Sequence, residues 1–141
     1  MGALQRITER VNRNGDPDDM GTPRPLLTID EFFDGNTSTG SIGCNLWPEA
    51  PSPGAFYDLF KRILARDDVA DIRVQVTAFD DPDWPFSDTV YILTTASRED
   101  VASWFDTGFA PDEVSEGFNP GVTCEPYVVP AGVRPIGCWW D

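Results

Sequence analysis

The sequence predicts an α+β fold, an antiparallel sheet with helices packed on one face, and three stretches carry that prediction. Ile72-Arg-Val-Gln-Val-Thr-Ala-Phe79 alternates apolar and polar residues, the period-2 pattern of a strand with one dry face. Thr89-Val-Tyr-Ile-Leu-Thr-Thr95 is apolar on both faces at its centre, as an interior strand is. Phe56, Leu59, Phe60, Ile63 and Leu64 fall at i, i+3, i+4, i+7 and i+8, a helical stripe able to cover the pair.

Residues 1–24 open with a helix-compatible Leu4 to Val11, followed by the turn-rich Asn12-Arg-Asn-Gly-Asp-Pro-Asp-Asp19. This segment reads as a flexible N-terminal extension, leaving 25–141 as a single α+β domain. Its alternating Asn and Asp residues resemble part of a calcium loop, but Pro17 sits where the turn needs glycine and no Glu closes the motif. Thr28-Ile-Asp-Glu31 is a capping box ahead of a short helix over 29–33. Gly-punctuated 37–46 ends in an expected strand over 41–46, with Gly43 as a bulge or close approach. Ser52 and Pro53 are the N-cap and first residue of the helix that bears the stripe, expected over 54–66.

The two central strands are expected over 71–79 and 89–95. Ser97-Arg-Glu-Asp100 starts a second helix over 97–106, with Val101, Trp104 and Phe105 on one face. Residues 111–116 read as a short helix, because Asp112 and Glu113 suit a helix N-terminus. Tyr127-Val-Val129 reads as a short edge strand, and 136–140 as a closing strand. The strand and helix order is then βαββαβ. It suits either a ferredoxin-like sandwich or a more elaborated α+β fold, since the 107–135 loop region exceeds a minimal version.

Composition limits the chemistry. The chain has 141 residues and a formal net charge of −14. Four Arg and four acids in 1–24 cancel, so the body carries all of the excess. Such a field opposes nucleic acid and anionic membrane surfaces and favours cationic partners. No apolar run reaches the roughly 18 residues of a membrane span, and the N-terminus lacks a secretory pattern. Three cysteines without paired spacing, Cys44, Cys124 and Cys138, suit reduced thiols in the cytoplasm. There is no His, which removes the commonest general base and metal ligand together. No catalytic set, cofactor motif or metal-binding spacing is present.

The connector Asp80-Asp-Pro-Asp-Trp-Pro-Phe-Ser-Asp88 is the first candidate site. Asp80, Asp81, Asp83 and Asp88 offer carboxylates to a basic protein partner, and Trp84 offers an aromatic anchor. If strand alternation holds at the C-terminus, one of Trp139 and Trp140 faces the core and the other the opposite sheet face. Trp140 is assigned to partner binding with the loop residues. These features favour a non-enzymatic, acidic protein-binding module. The alternative is a small enzyme or ligand-binding domain with a pocket of Trp and carboxylates.

Phe32-Phe-Asp-Gly-Asn36, Gly40-Ser-Ile-Gly-Cys-Asn-Leu46, Trp84-Pro-Phe-Ser-Asp88 and the terminal Trp-Trp-Asp resemble segments of small uncharacterised bacterial proteins. Some proteins of that kind resemble immunity proteins of polymorphic toxin systems. The resemblance covers 25–141 and implies a single acidic α+β domain that blocks a toxin by binding it. It carries over no functional residue.

Overall fold

The computed structural model describes residues 2–79 and 81–141. Nine elements follow in order: α1 (Ala3–Asn14), β1 (Leu26–Leu27), α2 (Ile29–Phe33), α3 (Pro53–Leu64), β2 (Val69–Gln75), β3 (Thr89–Thr94), α4 (Arg98–Ser103), β4 (Glu113–Glu116) and β5 (Arg134–Trp139). The strands form one five-stranded sheet in the order β1-β2-β3-β5-β4, with every ladder antiparallel. The class is α+β, as expected.

β3 is central, and all six of its residues are buried. Val90 and Ile92 face one layer of core and Tyr91 and Leu93 another, so its two-sided apolar pattern is met on both faces. The first face carries the helices. On α3, Phe56, Leu59, Phe60 and Ile63 are buried, and the Ser52 hydroxyl accepts from the Ala55 amide at the cap. On α2 the capping box closes both ways, with Glu31 N donating to Thr28 and Thr28 N to the Glu31 carboxylate. Phe56, Phe60, Phe105, Phe109 and Trp140 meet there in edge-to-face contacts, Phe56 and Phe60 stacking on each other, the geometry ring quadrupoles favour. Among the described residues the second face carries no helix. Phe118, Cys124, Tyr127, Val129 and Val133 of the long C-terminal segment cover Leu26, Tyr91 and Leu93.

Four elements differ from the sequence expectation. Residues 41–46 make turns, not a strand: Ser41 N donates to Ser38 O and Leu46 N to Gly43 O. Gly40 and Gly43 take positive φ there, which an extended run cannot accommodate. With that strand missing, the chain does not follow the βαββαβ order. Residues 113–116 are strand β4, because the edge of β5 offers them a hydrogen-bonded register, Val114 opposite Cys138. Residues 127–129 pair with no strand; Tyr127 instead donates its hydroxyl to Asp71 at 2.6 Å. Residues 3–14, expected within a flexible extension, form α1, whose Ile7 and Val11 are buried in the main core.

Gly43 is a close approach. At φ +65°, a Cβ would lie 2.8 Å from Leu46 Cδ1 and 2.9 Å from Phe56 Cζ. Gly43→Ala is therefore expected to cost about 1–3 kcal/mol, read as a fall in Tm of several degrees. Gly35→Ala, also at positive φ but with nothing within 4 Å, carries the backbone strain alone and should cost less. Equal losses would show that crowding at Gly43 is relieved by repacking.

Candidate functional site

The expected acidic loop is split by the fold. Asp81 and Asp83 are exposed, and Asp81 Oδ1 accepts the Asp83 amide in a local turn at 2.8 Å. Asp80 lies outside the described residues. Trp84 is not an exposed anchor. It is 6% exposed and belongs to the core, because the Ala78 and Phe86 backbones bridge and fold the connector back. Its Nε1 has no hydrogen-bond partner among the described residues. Trp140 is likewise core, 1% exposed, with its indole N–H donating to Phe109 O at 2.9 Å. Alternation explains this: Ile136, Cys138 and Trp140 point to the helical face, so Trp139 is the member turned to the other face. It is 37% exposed.

Trp139 stands in a cleft of about 330 Å³ on the second sheet face. The register builds it from two transverse rows, Thr89-Trp139-Glu113 and Tyr91-Gly137-Ser115. Residues 117–120 form its rim. Gly137 is closely covered; a Cβ there would press on Tyr91 Cε1 and Gly117 O, each at 3.4 Å. The Tyr91 hydroxyl donates to Gln75 Oε1 at 2.9 Å and accepts the Asn119 amide. Burial pushes this phenol up to about 12, so it stays neutral and cannot serve as a base near neutral pH.

The charged end of the cleft is acidic. Glu113 lies directly opposite Trp139, which places their Cβ atoms about 5 Å apart. Thr89 donates its hydroxyl to Asp88 Oδ1 at 2.9 Å, and Thr77 donates to the same oxygen at 2.7 Å. Asp112 N donates to Trp139 O, and Asp112 Oδ2 accepts the Asp141 amide. Backbone and side-chain bonds thus gather Asp88, Asp112, Glu113 and Asp141 around one strand end. Among the described residues none of these four forms an ion pair, and no Lys or Arg lines the cleft. No three Asp, Glu or Cys residues among those described converge as a metal site. Aromatic walls with a carboxylate rim can take a flat or apolar group that carries positive charge.

Of the expected site residues, only Asp88 lies beside this cleft. The alternation of 136–140 separates Trp139 from Trp140 without saying which of them is open. Glu113 was hidden by the helical reading of its segment.

A family described as "Uncharacterized protein YfbO family" matches residues 2–138. The chain belongs to that family. An Escherichia coli (strain K12) relative, "Uncharacterized protein YfbO", is 49% identical over 141 residues, covering all of both chains. No solved structure matches. The YfbO family match takes in α1 and the sheet and cleft residues up to 138, one short of Trp139. Neither the family description nor the relative's name carries a link to immunity proteins. Among the described residues no helix is long and apolar enough to cross a membrane.

Proposed function

We propose that this chain is a non-catalytic acidic module that binds a basic protein partner. The observation that supports it is the aromatic cleft on the second sheet face: Glu113 lines it and Asp88, Asp112 and Asp141 gather beside it, all four without ion pairs among the described residues, while Glu116 of its lining is held by Arg134 at 3.3 Å. Those four carboxylates are already held close together without neutralisation, so a cation from outside relieves their mutual repulsion. A narrower form is an inhibitor that works by occupying the partner's own basic site. A cytoplasmic location fits the thiols: all three cysteines are free, and Cys124 and Cys138 pack on opposite faces of the sheet.

The test is a pull-down from the source cell at low and high salt, with the retained protein identified. A basic partner that elutes with rising salt is the expected result. A neutral or acidic partner, a salt-insensitive one, or none would count against the reading.

The cleft volume favours a second reading, a small ligand-binding domain or enzyme, since small-molecule sites begin near roughly 300 Å³. Metabolite stabilisation in a thermal-shift screen would favour it, because a ligand stabilises the native state by mass action.

A further inference from the structure

We propose that the cleft receives an arginine side chain of the partner, its guanidinium lying against the Trp139 indole and paired with the Glu113 carboxylate. This rests on the basic-partner reading above and names the group that the site recognises.

The chain itself supplies the argument, because it twice completes such a trio with its own arginines. Arg66 lies with its guanidinium carbon 4.0 Å from the Trp104 ring centroid while its Nε donates to Asp68 at 2.9 Å. Arg73 lies 5.0 Å from the Tyr127 ring while its Nε donates to Asp71 at 2.8 Å. Trp139 and Glu113 present the same two members, an aromatic face and a carboxylate set side by side by strand register. No Lys or Arg among the described residues lines the cleft, and the one basic group paired with a lining residue, Arg134, is on Glu116 and not Glu113. Lys61 makes a lysine version, over Tyr57 and 3.4 Å from Asp58, but there both charged partners are well exposed. In a half-enclosed cleft the weakly hydrated planar guanidinium is favoured over an ammonium, which must shed a tighter water shell. Asp88 and Asp112 add negative potential at the mouth without needing to touch the ligand.

The experiment is an amide and indole N–H NMR titration of the full chain with three probes: N-acetyl-argininamide, N-acetyl-lysinamide and the neutral isostere N-acetyl-citrullinamide. The arginine probe is expected to shift the Gly117 and Gly137 amides and the Trp139 indole. The lysine probe should bind several-fold more weakly, and the citrulline probe should leave those signals in place. Glu113→Gln should weaken arginine binding about tenfold, the usual effect of losing a charge-assisted bond, and Trp139→Ala should abolish the localised shifts. Both residues are exposed or half-exposed, so the remaining spectrum should report an intact fold. Equal shifts from lysine and arginine scattered over the acidic surface would overturn the proposal. So would citrulline binding as arginine does, or a Glu113→Gln variant with undiminished affinity. A basic partner captured equally well by both variants overturns the cleft assignment while leaving the module reading in place. Localised arginine binding without any basic partner upholds the cleft and counts against the module.

Discussion

Trp140→Ala is expected to lower the unfolding free energy by about 3–5 kcal/mol, the range for truncating a buried large aromatic. Trp140 is 1% exposed and makes edge contacts with Phe56, Phe60 and Phe105 at ring separations of 6.0, 6.3 and 5.7 Å. Its indole N–H also satisfies Phe109 O. Truncation therefore opens a cavity where α3, β5 and the segment after α4 converge, and it orphans a carbonyl. Urea unfolding measures the loss through the midpoint at constant slope. Trp140→Phe keeps most ring contacts and should cost about 1–2 kcal/mol, largely the lost hydrogen bond. Its neighbour gives the contrast: Trp139→Ala should cost about 1 kcal/mol or less, as half-exposed positions do. Similar losses at 139 and 140 would contradict the assignment of the two faces.

Glu125→Ala should cost about 2–3 kcal/mol, because one carboxylate ties three parts of the chain together. It accepts Arg10 Nε at 3.0 Å and Nη2 at 2.7 Å, Asn14 Nδ2 at 2.9 Å, and the Leu26 amide at 3.1 Å. The Glu125 side chain is 15% exposed and that of Arg10 27%, so the pair is shielded yet not dry, and the lower part of the buried-pair range applies. Burial pushes the Glu125 carboxyl up, but the bonds from Arg10, Asn14 and the Leu26 amide, with the Arg10 charge, hold it below its ordinary value. A depressed folded value means the ionised form favours the folded chain. That stability is complete above the unfolded value, about 4.3, and is lost as pH falls through the lower folded value. The gap in unfolding free energy between the parent chain and Glu125→Gln should therefore be largest near neutral pH and shrink on acidification. A gap unchanged at low pH would show that the carboxylate's charge is not what holds α1.

Local chemistry made much of this fold legible. Thr28 with Glu31 and Ser52 with Pro53 announce α2 and α3 because their capping bonds are made within four residues. β2 and β3 are legible because alternation and a two-sided apolar run each report burial directly. β4 was not legible. Asp112 and Glu113 suit a helix start locally, and only the edge of β5, more than twenty residues later, makes 113–116 a strand. The turns at 41–46 carry Gly43 at positive φ where Leu46 and Phe56 leave no room for a Cβ, a fit that spacing does not encode. In α1, Leu4, Ile7 and Val11 have helical spacing, but what buries the helix is the body's own core together with Glu125 at the far end of the chain. The site followed the same rule. Alternation separated the faces of Trp139 and Trp140 without saying which is open, and the open one is Trp139, not Trp140. The acid-rich connector misled because the inward fold of Trp84 rests on the Ala78 and Phe86 bridge.

The strand order also bears on synthesis. β5 is the last of the nine elements to leave the ribosome, yet it lies between β3 and β4 in the finished sheet. Until it arrives, β3 has an unpaired apolar edge, β4 has no ladder to join, and the aromatic cluster lacks Trp140. A nascent chain of this kind completes its sheet only once β5 has emerged. For that interval its most hydrophobic strand is the edge most open to pairing with another chain.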